Sequence, residues 1–161
     1  MKLHKMLMAV ALCASTAWAH PDLSNASKYV TTELTVSGAV EHPLKLEVKD
    51  LRQFPLEQQD NRNGVTLRAL LDRAKVIAGN HNDVKKMAII ATASDGYAVV
   101  YSWSEVFNSP IGEGVLIFFE KDGKALADDE GRIAMISTKD LRTGPRHVRW
   151  LKSIEIKKIV D

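Results

Sequence analysis

Short segments of strand length, separated by turn residues, constrain the fold of this chain most strongly. Apolar and polar residues alternate over residues 32–40 and 44–48, which is typical of strands with one buried face. Residues 87–93 form an apolar run suited to a central strand buried on both faces. The other strand candidates are residues 97–101, 115–120, 125–127, 133–137 and 153–159. The pattern predicts one compact domain rich in β-structure.

One clear amphipathic helix interrupts these strands. Asn61-Arg62-Asn63-Gly64 predicts a turn, and Thr66 is a suitable N-cap for the helix that follows. From Leu67 onward, apolar residues recur at i, i+3, i+4 and i+7, which places them on one helix face. The sequence therefore predicts an α+β fold with one main helix.

Local signals predict two short helices and a hairpin. Asp50 is placed to cap a helical turn that Pro55 ends. Ser102-Trp103-Ser104-Glu105 has capping-box spacing and predicts a short helix to Phe107. The Asp122-Gly123 pair between two strand candidates is typical of a tight β-hairpin.

The first nineteen residues have the organisation of a secretory signal peptide. Lys2 and Lys5 precede an apolar run too short to span a bilayer, and Ala17-Trp18-Ala19 matches a small-x-small cleavage site. A lipoprotein signal cleaved at Cys13 is the alternative, which the preceding residues match only loosely. We expect a periplasmic or secreted protein with no transmembrane segment after cleavage. Residues 20–31 would form a polar arm, and residues 32–161 the domain.

The single cysteine, Cys13, lies inside that predicted leader. One thiol forms neither an internal disulfide nor a zinc site with several cysteines. Cleavage would leave no sulfur nucleophile and no thiolate metal ligand. The formal net charge of +2 would fall to zero with the loss of Lys2 and Lys5. Because nucleic-acid-binding domains normally carry a basic excess, we expect no nucleic-acid partner.

A basic segment near the C-terminus is the main candidate binding site. Guanidinium groups suit phosphate, sulfate or carboxylate because their planar fork donates to two oxygens at once. The alternative is a solvated loop whose cations face the acidic run Asp128-Asp129-Glu130. The candidate residues for binding a small anion are Arg132, Lys139, Arg142, Arg146, His147 and Arg149.

Motifs for catalysis and metal binding are weak by comparison. The sequence has no Gly-rich phosphate loop, no His-Glu-x-x-His and no Gly-x-Ser-x-Gly, so we assign no catalytic residue. His20 would become the N-terminal residue after cleavage, and its amine and imidazole together suit copper. Such a site needs a second side-chain ligand, and Pro21 removes the next amide as a donor.

Six segments of the domain form a recognisable series. They are LTVSGAVEHPL at 34–44, LEVKDL at 46–51, GVTLRALL at 64–71, ATASDGY at 91–97, the hairpin at 115–126 and HVRWLKSIEI at 147–156. Read in order, they resemble the molybdopterin-binding domain of the sulfite oxidase family of oxidoreductases. The resemblance implies a single fold dominated by mixed β-sheet, with molybdopterin as the cofactor of catalytic members.

The resemblance also indicates where this chain departs from catalytic members. Their molybdenum is bound by a cysteine thiolate in a segment between the opening strands and the main helix. Here that segment, residues 55–63, is short and has no cysteine. Another ligand would change the geometry and reduction potential of the metal, so we do not expect ordinary oxygen-atom transfer. Arg132 falls near an arginine of a family segment, which favours the anion site.

Two functional hypotheses follow. The first is an exported, non-catalytic homologue that binds a small anion or an exported partner protein. The alternative is a molybdopterin-dependent oxidoreductase of the sulfite oxidase family with non-cysteine metal ligation.

Overall fold

The computed structural model describes residues 23–80 and 82–160, and the predicted strands within them pair into two sheets. The first sheet has the order β2-β1-β10-β5-β6. Its β1 and β10 are parallel, and its other pairs are antiparallel. The strands are β1 (Leu34–Gly38), β2 (Leu44–Leu46), β5 (Met87–Ala93), β6 (Ala98–Ser102) and β10 (Leu151–Lys158). The sheet is therefore mixed, as the resemblance implies.

The second sheet is antiparallel throughout its described pairs. It has the order β3-β4-β7-β8, and β9 also pairs with β7. The Asp122-Gly123 turn joins β7 to β8 with positive φ angles of 53° and 71°, which confirms the predicted hairpin. The strands are β3 (Glu57–Gln59), β4 (Arg62–Thr66), β7 (Val115–Lys121), β8 (Lys124–Ala125) and β9 (Ala134–Ser137).

Three α-helices are described, and the predicted caps of two are present. The helices are α1 (Val48–Leu51), α2 (Leu67–Ala74) and α3 (Trp103–Phe107). The Thr66 hydroxyl accepts the N–H of Ala69 at the start of α2. Ser102 and Glu105 form the predicted capping box of α3. Within residues 23–80 and 82–160, no helix has the length and hydropathy that crossing a bilayer requires.

The structure corrects three details of the sequence prediction. Glu47, not Asp50, is the N-cap of α1, and Asp50 accepts the Glu47 N–H from the N3 position. The chain turns at Asp60-Asn61, so Arg62–Thr66 is strand β4 and not the predicted turn. Leu23–Tyr29 forms 3₁₀ turns within the predicted polar arm. The predicted signal peptide, Cys13, His20 and His81 lie outside the described residues.

The main core lies between the two sheets and is completed by α2. It includes Val36 and Ile154 from the first sheet, Ile117 from the second, and Leu70 from α2. A smaller cluster lies on the opposite face of the second sheet. Its members are Leu116, Phe118, Leu126, Ala134 and Ile136. The second sheet is thus buried on both faces, which explains the continuous apolar run in β7.

Gly64→Ala should lower the free energy of unfolding by about 1–3 kcal/mol, the usual cost of overpacking a close contact. A Cβ at residue 64 would lie 2.1 Å from the Ile117 carbonyl oxygen and 2.6 Å from Phe118 Cα. Urea denaturation measures the change. Gly144→Ala is the control, because nothing lies within 4 Å of a Cβ there. Equal stability of the two variants would contradict the close approach of β4 to β7.

Candidate functional site

The structure divides five of the six predicted basic residues among separate ion-pair groups. Arg132 Nη2 lies 2.8 Å from Asp128 Oδ1, and its Nη1 donates to the Leu126 carbonyl. Lys139 pairs with Glu113. Carboxylates of the chain therefore already neutralise these two cations.

Arg146 is bound by two carboxylates. Its Nε donates to Asp140 Oδ2 at 2.6 Å, with a second contact to the other carboxylate oxygen, and its Nη1 donates to Glu105 at 2.9 Å. The guanidinium carbon lies 4.4 Å from the centroid of the buried Tyr101 ring. The Ser137 hydroxyl donates to Asp140 at 2.8 Å, which fixes this carboxylate from the other side. Arg146 thus joins the loop after β9 to β6 and α3.

The ion pairs of Arg146 shift the pKa values of all three groups toward their charged forms. Burial alone would raise the pKa of Asp140, but hydrogen bonds from Arg146 and Ser137 outweigh it and lower that pKa. Burial is likewise outweighed at Glu105, whose pKa is lowered by the Ser102 backbone and Arg146. The Asp140 hydrogen bond raises the pKa of Arg146, so the guanidinium stays charged. The network is a set of fixed charges.

His147 and Arg149 belong to a second cluster, centred on Glu130. This carboxylate is only 8% exposed. Its Oε2 lies 2.8 Å from His147 Nε2 and 4.0 Å from Arg149 Nε, and its Oε1 lies 3.9 Å from Lys121 Nζ. Burial alone would raise the pKa of Glu130, but the His147 hydrogen bond and the charges of Arg149 and Lys121 lower it.

Arg62 adds a further cation beside this cluster. Arg62 is paired with Lys121 across β4 and β7, and its guanidinium lies 5.5 Å from the centroid of the Phe118 ring. The His147 ring lies 6.0 Å from Phe118. The buried Arg62 Nε has no hydrogen-bond partner within the described part of the chain. We call Lys121, His147 and Arg149 around Glu130, together with Arg62 beside them, the Glu130 cluster.

The sequence did not indicate Lys121 or Arg62 as site residues. The two are far from the basic C-terminal segment along the chain, and Arg62 lay in a predicted turn. Strand pairing in β4 and β7 brings them together. Arg142, by contrast, is exposed and forms no ion pair among the described residues. The predicted cations therefore do not converge on one group of contacts.

The segment in which the resemblance implies a metal-binding cysteine forms the β3–β4 hairpin. Gln59 Nε2 donates to the Glu113 carbonyl at 2.7 Å, and the Thr138 hydroxyl donates to Gln59 Oε1 at 2.6 Å. The hairpin lines an open cleft of about 290 Å³. Its lining residues are Glu57, Thr66, Arg68, Gly112 and Glu113.

The donors in this cleft do not fit the implied molybdenum site. They are carboxylate and hydroxyl oxygens and one guanidinium, whereas the family site uses a soft thiolate. No group of three or more histidine, cysteine, aspartate or glutamate side chains within residues 23–80 and 82–160 could hold a metal ion. We therefore derive no reaction through a molybdenum centre.

Comparison with known proteins supports the fold. No protein-family profile matches the chain, and no curated protein matches it. Among solved structures, it is similar to the sulfane dehydrogenase SoxCD from Paracoccus pantotrophus, with a TM-score of 0.61 and 19% identity. The match covers 83% of this chain and 39% of that chain, so this chain spans about two fifths of the neighbour. The predicted α+β, sulfite oxidase-like fold is confirmed.

Arg146→Ala should lower the free energy of unfolding at neutral pH by about 1–3 kcal/mol, because Asp140 would lose its charged donor. The lowered pKa of Asp140 contributes stability above its unfolded value of about 4, and this is lost as the pH falls through the folded value. The variant should therefore lose less stability than the wild type between about pH 5 and pH 3. Urea denaturation across this pH range measures both effects.

Arg142→Ala is the control for this prediction. It removes an arginine from the same loop without breaking an ion pair described here, so its effect should stay within about 0.5 kcal/mol. If Arg146→Ala kept the wild-type acid dependence, the assigned coupling between Arg146 and Asp140 would be wrong.

Proposed function

We propose that the protein is an exported, non-catalytic binding module that holds a small oxyanion at the Glu130 cluster. The observation that carries this proposal is the imbalance of charge around one buried carboxylate. Lys121 and Arg149 are two formal cations that face the single charge of Glu130, whose close contact is with His147. An added oxyanion would offset this excess.

Lys121 and Arg149 do not use their N–H groups in hydrogen bonds to Glu130. Lys121 and Arg149 lie at 3.9 and 4.0 Å from Glu130, beyond hydrogen-bond length, so these contacts are charge pairs only. Both side chains are partly exposed, at 40% and 35%. Their N–H groups can thus donate to an incoming phosphate, sulfate or carboxylate while Glu130 keeps its close contact with His147.

The chemistry of the donors supports a binding role over catalysis. The hairpin at residues 55–63 brings no thiolate to the cleft beside α2, and Cys13 lies in the predicted leader. Export is proposed from the sequence of residues 1–19, where two lysines, an apolar run and Ala17-Trp18-Ala19 form the predicted signal. An exported partner protein that carries a phosphate or carboxylate is an alternative source of the same anion.

Arg149→Ala should weaken binding of sulfate or phosphate by about tenfold, which corresponds to about 1.4 kcal/mol for one lost charged donor. Isothermal titration calorimetry with each salt, at constant ionic strength, measures the affinity. The affinity should also fall as the background chloride concentration rises.

Arg142→Ala is the matched control, because it removes the same charge from the basic segment but not from the Glu130 cluster. Its affinity should equal that of the wild type. Equal loss in the two variants would show that net charge or the loop is responsible. No binding by the wild-type protein would contradict the anion proposal.

The fold likeness favours one alternative, a molybdopterin-dependent oxidoreductase with non-cysteine metal ligation. The protein purified from its own exported compartment distinguishes the two functions. Because the described donors do not suit molybdenum, we expect elemental analysis and pterin fluorescence to find less than stoichiometric amounts of both. Stoichiometric molybdenum and pterin in the folded protein would support the oxidoreductase and overturn the non-catalytic module.

A further inference from the structure

His147 is the member of the Glu130 cluster whose side-chain type titrates near neutral pH. Histidine changes its charge between about pH 5 and pH 8, whereas lysine and arginine side chains are ordinarily cationic throughout that range. Burial opposes ionisation of Glu130, but the His147 hydrogen bond and the nearby cations outweigh it and lower the pKa of Glu130. A proton on His147 therefore decides the charge of the cluster.

Backbone hydrogen bonds hold both partners of the His147–Glu130 contact in place. Val148, the residue after His147, exchanges two backbone hydrogen bonds of 2.8 Å with Met135 of β9. The Glu130 carbonyl accepts the Trp150 N–H at 2.9 Å. The two side chains are largely buried, with 18% of His147 and 11% of Glu130 exposed. The 2.8 Å contact between them thus joins two positioned groups.

The groups that face this contact come from several elements. The His147 ring lies 6.0 Å from the neutral ring of Phe118 on β7. The charged groups around Glu130 and Phe118 are Lys121 of β7, Arg149 before β10, and Arg62 of β4 with its partner Asp60. Within residues 23–80 and 82–160, Glu130 is the carboxylate that an ion pair or hydrogen bond joins to His147.

Protonation changes the charge at this site and preserves its hydrogen bond. Neutral and protonated imidazole can both donate Nε2–H to Glu130 Oε2, because the added proton goes to Nδ1. With His147 neutral, Lys121 and Arg149 exceed Glu130 by one positive charge, and with His147 protonated the excess is two. One more unit charge at the site should strengthen binding of a divalent anion by about threefold to tenfold after screening by salt.

We propose that His147 is a pH switch for the Glu130 cluster, which binds an oxyanion more tightly when the ring is protonated and releases it as the pH rises. This inference rests on the anion site of the proposed function and adds its regulation. Linkage requires the reverse effect as well, so a bound anion raises the proton affinity of His147 by the same factor. The two effects can be measured separately.

Isothermal titration calorimetry with sodium sulfate at about pH 6 and about pH 8, at constant ionic strength, tests the switch. Sulfate is the probe because it carries the same charge at both pH values. The wild type should bind it about threefold to tenfold more tightly at the lower pH. In His147→Gln, which keeps an amide donor but cannot titrate, the ratio of the two affinities should fall to about one. His42→Gln is the matched control, because His42 is exposed and outside the cluster, and it should keep the wild-type ratio.

An NMR titration of the His147 ring in the wild type provides a second measurement without substitution. Saturating sulfate should move the midpoint of this titration to higher pH by the factor found in calorimetry. If the wild type binds sulfate equally at the two pH values, or if His147→Gln keeps the wild-type ratio, the switch is overturned while the anion site stands. If the wild type binds no sulfate at either pH, the anion site and the switch are both overturned.

Discussion

The contacts of Arg146 decide the arrangement on which the candidate sites depend. Its guanidinium binds Asp140 and Glu105 and lies on the ring of Tyr101, so it joins the loop after β9 to the edge of the first sheet. This side chain covers the inner face of β6. Its positive charge, which we predicted from the sequence to bind an anion, is instead neutralised by Asp140 and Glu105. The Glu130 cluster is left as the proposed site for a small anion.

Neighbouring residues in the basic segment have different roles because their side chains reach different groups. Arg146 contacts Asp140 and Glu105, while the next residue, His147, contacts Glu130 beside Phe118. A count of charge along the sequence cannot separate them. The separation follows from the position of each residue relative to β6 and β7, and it leaves Arg149 as the predicted arginine that is partly exposed and only loosely paired.

The shared fold and the missing thiolate lead to different conclusions about function. The two sheets and α2 reproduce a fold also found in a sulfane dehydrogenase, but a fold can host unrelated functions. Function depends on the groups at a site. In the cleft beside α2, a hairpin tied to Glu113 and Thr138 stands where the resemblance implies a metal ligand, and its donors are not those of a molybdenum thiolate.

The sequence by itself determined the elements that depend on local interactions. The alternation in β1, the cap of α2 by Thr66, the capping box of α3 and the Asp122-Gly123 turn all join residues close along the chain. Only the tertiary structure decided that Arg62–Thr66 is a strand, because its partner β7 lies far along the sequence. It also decided which cations are neutralised, since Arg146 and Glu105 are 41 residues apart. Such pairs leave no periodic signal in the sequence, because their energy depends on distance in space.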